Sequence, residues 1–363
     1  MLTSQGFHTF TISKPLAVKH AEGLLDDFKR RKRKAGEVRI RPDRLKNKVD
    51  PFGHHWIIEY PNQSKGLTWN MRICRSMNSD KPCNIKATIN PKVLVGIQDY
   101  IAAANSHYLE SVEAVFNDEA RKISPYHLGR FGDYSLIRND YCLNIDLNEL
   151  KLPCEPEDMI ALIKRGDIPP HYNEWTEKDA IAHRDVPGKS SFYLTSKSVV
   201  INYYWKYAQL LDEWPDCPDL EASRNIIRFE IQFRYPKMYS LSKIVRAKTG
   251  FSNSRLLYEM LSEDFCADVI RSYFNRVIGK GDYFTLDGAR RLVELRRFKP
   301  SKEQRLLIDL KYINESRGIH KAKAALQDKE RDDFNRSLRD LEEVGINPVT
   351  IPKEWGVELQ TRR

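Results

Sequence analysis

Two segments of this chain, SKSVVINYYWKYAQL (residues 196–210) and IIRFEIQFRY (residues 226–235), decide its predicted fold because both alternate between apolar and polar side chains. Successive side chains of a strand point to opposite faces of its sheet, so the alternation predicts two strands that are buried on one face only. The apolar faces are expected to carry Val199, Ile201, Tyr203, Trp205 and Tyr207 from the first segment, and Ile227, Phe229, Ile231, Phe233 and Tyr235 from the second.

The opposite faces of these two strands gather groups that can act on a phosphodiester. They carry Tyr204 and Lys206 from the first segment and Arg228, Glu230 and Arg234 from the second. A tyrosine hydroxyl can attack phosphorus once it is activated, and cations can stabilise the negative charge that develops on the phosphate. A solvent-facing sheet of mixed charge is the alternative interpretation. A slip of one residue in the register would exchange Tyr204 for its neighbour on the apolar face.

Two further segments alternate in the same way, NIKATIN (residues 84–90) and LIRNDYCLNIDL (residues 136–147). Their polar faces add Lys86, Arg138 and Asp140 to the predicted surface. Asp146 shares a face with Asp140, but six residues along a strand correspond to roughly 20 Å. Only one of the two aspartates is therefore expected in the site, and we favour Asp140. Residues 7–13, FHTFTIS, are expected to form a first strand.

The composition limits the class of protein. The 363 residues, 41% hydrophobic and 30% charged, predict a globular α+β chain of about two domains. The sequence has no apolar run of membrane-spanning length and no signal-peptide pattern, and its six cysteines include no C-x-x-C pair. We therefore expect a cytoplasmic protein with reduced cysteines and no membrane partner. The formal net charge of +10 indicates an anionic partner, with nucleic acid the first candidate.

The pattern of the chain changes after about residue 245, where helical periodicity replaces strand alternation. We therefore predict a catalytic domain over residues 1–245, an antiparallel sheet with helices on one face, and a helical domain over residues 246–363. Short helices around a glycine turn in this second region are compatible with a helix-turn-helix that reads DNA, and equally with a plain helical bundle.

Histidine spacing does not indicate a metal site. Two histidines on one strand share a face only when one residue separates them, and the chain has no His-apolar-His triplet. His54 and His55 are adjacent, so they are expected on opposite faces of a predicted strand, and at most one of them could join a site.

Five local patterns together resemble the replication initiators of filamentous phages, the gene II and gene X type, and related rolling-circle initiators of small plasmids. The patterns are INPKVL (residues 89–94), LIRNDYCLNID (136–146), SKSVVINYYWKYAQL (196–210), IIRFEIQFRYPKMYSL (226–241) and GINPVTIPKEW (345–355). They include an Arg-x-Asp strand, a Tyr-x-Lys segment and an Arg-Phe-Glu strand in the family's order.

The resemblance implies an origin-specific DNA nicking and joining enzyme of rolling-circle replication, dependent on Mg²⁺ or Mn²⁺. Tyr204 would become linked to the 5′ phosphate with help from Lys206, and Asp140 and Glu230 would hold the metal ion. The remaining cations of the predicted polar face, Lys86, Arg138, Arg228 and Arg234, are expected to bind DNA.

The implied partners are supercoiled or single-stranded origin DNA together with a host helicase and polymerase. Three alternatives stay open: a mobilisation relaxase, a metal nuclease that uses water as its nucleophile, and a non-catalytic DNA-binding regulator.

Overall fold

A computed structural model describes residues 4–35, 38–61, 64–74, 81–174, 190–356 and 358–359 of the chain. In chain order its strands are β1 (Gln5–Leu16), β2 (Arg39–Pro42), β3 (Gly53–Glu59), β4 (Leu67–Cys74), β5 (Cys83–Ile89), β6 (Ser135–Asp146), β7 (Asn173–Glu174), β8 (Ser191–Thr195), β9 (Val199–Trp205), β10 (Ile226–Phe233), β11 (Tyr283–Phe284) and β12 (Glu358–Leu359). Its helices are α1 (Val18–Ala35), α2 (Arg44–Val49), α3 (Pro91–Leu94), α4 (Leu109–Ile123), α5 (Pro156–Ile163), α6 (Lys206–Glu213), α7 (Tyr235–Thr249), α8 (Asn253–Met260), α9 (Glu263–Val277), α10 (Leu286–Leu295), α11 (Pro300–Glu315), α12 (Ile319–Ala324) and α13 (Asp328–Glu343).

Ten of these strands form one antiparallel sheet, in the spatial order β2-β3-β4-β5-β1-β6-β10-β9-β8-β7. All four strands that alternation predicts are present, and their registers align the apolar residues across the sheet. Phe229 of β10, for example, lies opposite Leu143 of β6 on one side and Tyr203 of β9 on the other. The α+β class and the antiparallel sheet are therefore confirmed.

Helices from both halves of the chain cover the apolar face of this sheet. Trp69 of β4 contacts Phe28 of α1 and Phe116 of α4, with ring centroids 6.2 and 5.3 Å apart. Farther along, Phe229 contacts Phe274 of α9 at 5.7 Å. These aromatic rings are largely withdrawn from water, and burying each contributes on the order of 2 kcal/mol.

Two strands end earlier than alternation predicts. β9 stops at Trp205 and α6 begins at Lys206, so the expectation that Tyr207 continues the strand is wrong. Residues 208–211, Ala-Gln-Leu-Leu, are good helix formers, which explains the change. β10 likewise ends at Phe233, and Tyr235 opens α7 rather than extending the strand. Pro236 suits the first turn of a helix because an amide hydrogen is not needed there.

The C-terminal helices contribute to two cores. α8 and α9 pack into the main core under the sheet, whereas Leu306, Leu310 and Leu341 centre a smaller core formed by α10, α11 and α13. Position 245 lies inside α7, which spans the predicted domain boundary. The division into two domains stays a prediction. Within the described part of the chain, no helix combines the length and apolar character needed to cross a membrane.

Candidate functional site

Four adjacent strands in the middle of the sheet, β1, β6, β10 and β9, bring polar side chains together on the face opposite α1, α4 and α9. Asp140 of β6 pairs with Gln232 of β10, so Glu230 is its diagonal neighbour. Tyr204 of β9 pairs with Arg228 and is in turn the diagonal neighbour of Glu230. Diagonal side chains on one face lie roughly 7–8 Å apart at the backbone, within reach of one another. We call Asp140, Glu230 and Tyr204, together with Arg138 and His8 on the same face, the central cluster.

The register separates the two neighbouring tyrosines. Tyr203 is fully buried on the apolar face, where its ring stacks on Phe229 with centroids 4.4 Å apart. Tyr204 points to the opposite face, and its hydroxyl donates a hydrogen bond to Oε2 of Glu230 at 3.3 Å. The prediction that alternation sends Tyr204 to the polar face is confirmed.

The surroundings of the Tyr204 hydroxyl disfavour its ionised form. Burial, and then the charge of Glu230, raise the pKa of Tyr204 well above its ordinary value, while Arg228 opposes the shift. Glu230 is also perturbed, because burial and then the charge of Asp140 raise its pKa to about 7. A carboxylate of that basicity can accept a proton at neutral pH, so Glu230 is positioned to take the proton of Tyr204.

Asp140 is committed to a strong ion pair on its own strand. Nε and Nη2 of Arg138 donate to its two carboxylate oxygens at 2.9 and 2.6 Å. Burial raises the pKa of Asp140 while the Arg138 charge opposes that shift. The Asp140 side chain is almost fully buried, whereas that of Arg138 is 39% exposed. Arg138 therefore neutralises the carboxylate and stays partly accessible to a ligand.

Arg228 lies beneath the central cluster rather than on its surface. It is fully buried, with Nε donating to Oδ1 of Asn144 at 2.8 Å and Nη2 donating to the carbonyl oxygen of Ile101. Its third nitrogen, Nη1, has no hydrogen-bond partner among the described residues. Its charge is nevertheless near enough to lower the pKa of Tyr204. The expected direct contact of Arg228 with DNA does not fit this burial, and its position suits stabilisation of a tyrosinate.

Lys206 adds a second buried cation at the end of β9. It is 3% exposed, and its Nζ donates to Oε1 of Gln209 at 2.6 Å. Burial, followed by the charge of Arg228, lowers the pKa of Lys206 to about 7. At neutral pH this amine therefore exchanges readily between its charged and neutral forms.

His8 is a member of the central cluster that the sequence interpretation missed. The β1–β6 register shifts between Phe7 and Phe10, so a bulge places His8 and Thr9 across from Asp140. Strict alternation would have put His8 beside Phe10 on the apolar face. His8 is partly open to solvent but tightly surrounded, and burial followed by the charges of Arg228 and Lys206 lowers its pKa to about 3. Phe7 and Phe10 are both apolar and three residues apart, whereas residues on one face of a regular strand are an even number of residues apart. This odd spacing is the sequence signal of the bulge.

The other two predicted DNA contacts lie apart from the central cluster. Lys86 of β5 lines a cavity on the same face of the sheet, across β1 from the cluster. Arg234 follows the end of β10, is exposed, and donates through Nη1 to the carbonyl oxygen of Ser196 at 3.3 Å. Both remain accessible to an anionic ligand.

The two predicted metal ligands, Asp140 and Glu230, are close enough for the charge of one to raise the pKa of the other. A divalent ion needs several free donor atoms, yet Arg138 binds both oxygens of Asp140. In the described residues, no three His, Cys, Asp or Glu side chains are arranged to hold a metal ion. The cluster as arranged does not fit a bound Mg²⁺ or Mn²⁺.

His54 and His55 point to opposite faces of β3, as adjacent strand residues should. The register places His54 opposite Ile73 and His55 opposite Arg72. His55 is hydrogen-bonded to Asp50, with Nε2 of His55 2.8 Å from Oδ2 of Asp50. Neither histidine belongs to the central cluster.

The chain was compared with models of protein families, with curated proteins and with solved structures, and none of them matches it.

Proposed function

We propose that this protein is a DNA-nicking enzyme that uses Tyr204 as a covalent nucleophile. One observation carries the proposal: the Tyr204 hydroxyl is hydrogen-bonded to a carboxylate whose pKa is about 7 and lies beside buried cations. A weak nucleophile is activated when a proton acceptor lies in hydrogen-bond contact with it. Initiation of rolling-circle replication, by resemblance to the phage and plasmid initiators, is the specific role we propose.

The reaction can be written with the residues of the central cluster. Glu230 accepts the hydroxyl proton of Tyr204 while the phenolic oxygen of Tyr204 forms a bond to the scissile phosphorus. The bond from phosphorus to the 3′ oxygen breaks, and that oxygen leaves with the bonding electrons and takes a proton from water. The strand then has a 5′ phosphate linked to Tyr204 and a free 3′ hydroxyl.

The buried cations supply the electrostatic part of catalysis. Arg228 and protonated Lys206 lie where they can stabilise the tyrosinate and the extra charge on the pentacoordinate phosphorus. Arg138, which is partly exposed beside Asp140, can contact a neighbouring phosphate. Because Tyr204 is only 9% exposed, few water molecules compete with it for phosphorus.

Relaxase chemistry in DNA transfer would use the same tyrosine and so is a variant of this proposal. A non-catalytic regulator would not need a carboxylate of raised pKa in contact with a tyrosine. The resemblance implies dependence on Mg²⁺ or Mn²⁺, but Asp140 and Glu230 as arranged do not fit such an ion, so the reaction above uses none. Addition of a chelator tests this dependence.

The experiment is a denaturing-gel assay with supercoiled DNA that carries the protein's own genetic locus. Wild-type protein should give a covalent protein–DNA band, and Tyr204→Phe should lose it. Tyr203→Phe is the matched control, because it removes an equivalent hydroxyl that has no hydrogen-bond partner among the described residues. We expect this control to form the adduct at the wild-type rate.

The other outcomes identify the alternatives. Loss of the adduct in Tyr203→Phe but not in Tyr204→Phe would assign the nucleophile to the other tyrosine. Nicks with free 5′ phosphates and no adduct in any sample would indicate a nuclease that uses water. Binding without nicking, with and without added Mg²⁺ or Mn²⁺, would indicate a regulator.

A further inference from the structure

A cavity of about 510 Å³ lies on the polar face of the sheet, next to the central cluster. Its lining residues come from β3, β4, β5 and β1, and it reaches β6 at Ile137, the residue before Arg138. The volume falls within the range of small-ligand sites in proteins. The cavity and the cluster therefore form parts of one continuous surface.

The cavity is cationic, because its acidic residues are already neutralised. Asp50 is bound by Arg72, with Oδ2 2.7 Å from Nε, and Asp43 forms an ion pair with Nζ of Lys46 at 3.0 Å. Lys86 reaches into the cavity from β5, and no ion pair to it is found among the described residues. Burial and then the charge of Lys46 lower the pKa of Lys86, which is the response of an amine that lacks an anion.

The same cavity carries groups that suit a nucleobase. Tyr235 lies at its edge, is 57% exposed, and stacks on Tyr239 with ring centroids 5.8 Å apart. Asn70 and Asn84 add amides that can both donate and accept hydrogen bonds. An aromatic ring, amides and lysines together are the combination that binds the bases and phosphates of single-stranded nucleic acid.

The wall of the cavity is rigidly built. The Asp50–Arg72 ion pair is buried and passes directly beneath Gly53, where an added Cβ would lie 2.8 Å from Nε of Arg72. His55 adds a hydrogen bond to the same Asp50 oxygen. A preformed wall of this kind lowers the ordering cost of binding a ligand.

We propose that this cavity binds one nucleotide of the single DNA strand whose scissile phosphate reaches Tyr204. Lys86 contacts phosphate, and Tyr235 and Asn70 contact the base. Lys86 on β5 and Tyr204 on β9 are four strand spacings apart, roughly 19 Å, so the nucleotide lies a short distance along the strand from the nick. The inference rests on the proposed function, because it assumes that single-stranded DNA lies across this face.

The test is fluorescence anisotropy with the full chain and a labelled, mixed-sequence DNA strand of about 20 nucleotides, longer than a typical single-strand site. Every protein carries Tyr204→Phe, so that only binding is measured. Lys86→Met should raise the Kd about five- to tenfold and reduce the slope of log K against log salt by about 0.7. Lys329→Met is the matched control, because it removes an exposed lysine on α13. It should change neither quantity.

A second variant keeps the test independent of charge. Tyr235→Ala should raise the Kd about five- to a hundredfold with little change in the salt slope, because stacking is not ionic. Thermal melts of both cavity variants establish that they are folded. If the two cavity variants bind DNA as tightly as Lys329→Met does, the proposal is overturned. It is also overturned if a free mononucleotide binds as tightly as the DNA strand.

The outcome is separable from that of the nicking assay. A covalent adduct in the wild type together with unchanged binding by the cavity variants would remove the cavity from the function and leave the nickase intact. Weakened binding by the cavity variants without any adduct would keep the cavity as a DNA site and remove the nickase.

Discussion

Glu230, which is half-buried, and Lys206, which is buried, both have a pKa near 7, and their pKa values are shifted in opposite directions. Burial and Asp140 raise the pKa of the carboxyl, and burial and Arg228 lower that of the amine. In the proposed reaction Glu230 has to be ionised and Lys206 has to be protonated. As pH rises through 7, Glu230 becomes ionised, which favours the reaction, while Lys206 loses its proton, which opposes it.

We therefore predict a narrow, bell-shaped pH profile for adduct formation, with its maximum near pH 7. The measurement is the single-turnover rate of the covalent band between about pH 5.5 and 9, a range that covers both limbs of such a profile. The two apparent pKa values belong to the coupled cluster rather than to single residues. A rate that is constant over this range would contradict the assignment of roles.

Two variants serve as controls for the profile. Lys206→Arg should lose the alkaline limb, because arginine stays protonated throughout. Glu230→Gln should lose the acid limb and lower the rate by about 10²- to 10⁴-fold, the usual contribution of a general base. If Glu230→Gln kept the acid limb, another group would be the proton acceptor.

Asp50 joins the end of α2 to β3 and β4. Its oxygens accept hydrogen bonds from Arg72 at 2.7 and 3.3 Å, and His55 lies 2.8 Å from one of them. Hydrogen bonding to Arg72 holds the pKa of Asp50 well below its usual range. The ion pair therefore fixes three elements and also forms the wall of the cavity beside the central cluster.

Asp50→Asn should destabilise the fold by about 3–5 kcal/mol at pH 7, because it leaves the buried Arg72 without its counter-charge. The depressed pKa means that this contribution is present above about pH 4 and is lost as pH falls through the folded-state value. The difference from the wild type in urea unfolding should therefore shrink in acid.

Asp118→Asn is the control for this element. It removes a carboxylate of the same kind that lies exposed on α4, in an ion pair with Lys122 at 2.6 Å. Exposed pairs contribute little, so its unfolding midpoint should match the wild type. Equal midpoints for both aspartate variants would show that the buried ion pair does not hold these elements together.

The sheet and the first helices after residue 245 share one core. The hydroxyl of Tyr141 donates to the carbonyl oxygen of Met260 at 3.1 Å, and Phe274 packs on Phe229. A chain that ends at residue 245 would expose these apolar surfaces of β6 and β10 to water. The central cluster is on the reverse side of the same strands.

We predict that residues 1–245 alone do not keep the native fold. The truncated chain should bind a hydrophobic dye and unfold without a cooperative transition, whereas the full chain should unfold cooperatively. Circular dichroism and dye fluorescence measure both properties. A cooperative melt of the truncated chain, without dye binding, would instead establish two independently folding domains.

Prediction from sequence succeeded where a local rule was sufficient. The period of two along a strand placed Arg138 and Asp140 together on one face, and they form an ion pair there. It failed at Tyr207 and Tyr235, where helix-forming residues and a proline ended the strands. It also failed at His8, because a bulge shifts the alternation by one residue and depends on the partner strand.

Alternation along the chain is enough to predict the four strands, their apolar and polar faces, and the choice of Tyr204 over Tyr203 for the polar face. These are properties of neighbouring residues, and backbone geometry fixes them wherever a strand forms. The order of the strands in the sheet, in which β1, β6, β10 and β9 lie side by side, comes from the folded structure, and it brings His8, Asp140, Glu230 and Tyr204 together. The folded structure also decides the burial that brings the pKa values of Glu230 and Lys206 close to 7 and withdraws Arg228 from the surface. Burial and charge depend on distances between residues far apart in the chain, and only the folded packing fixes those distances.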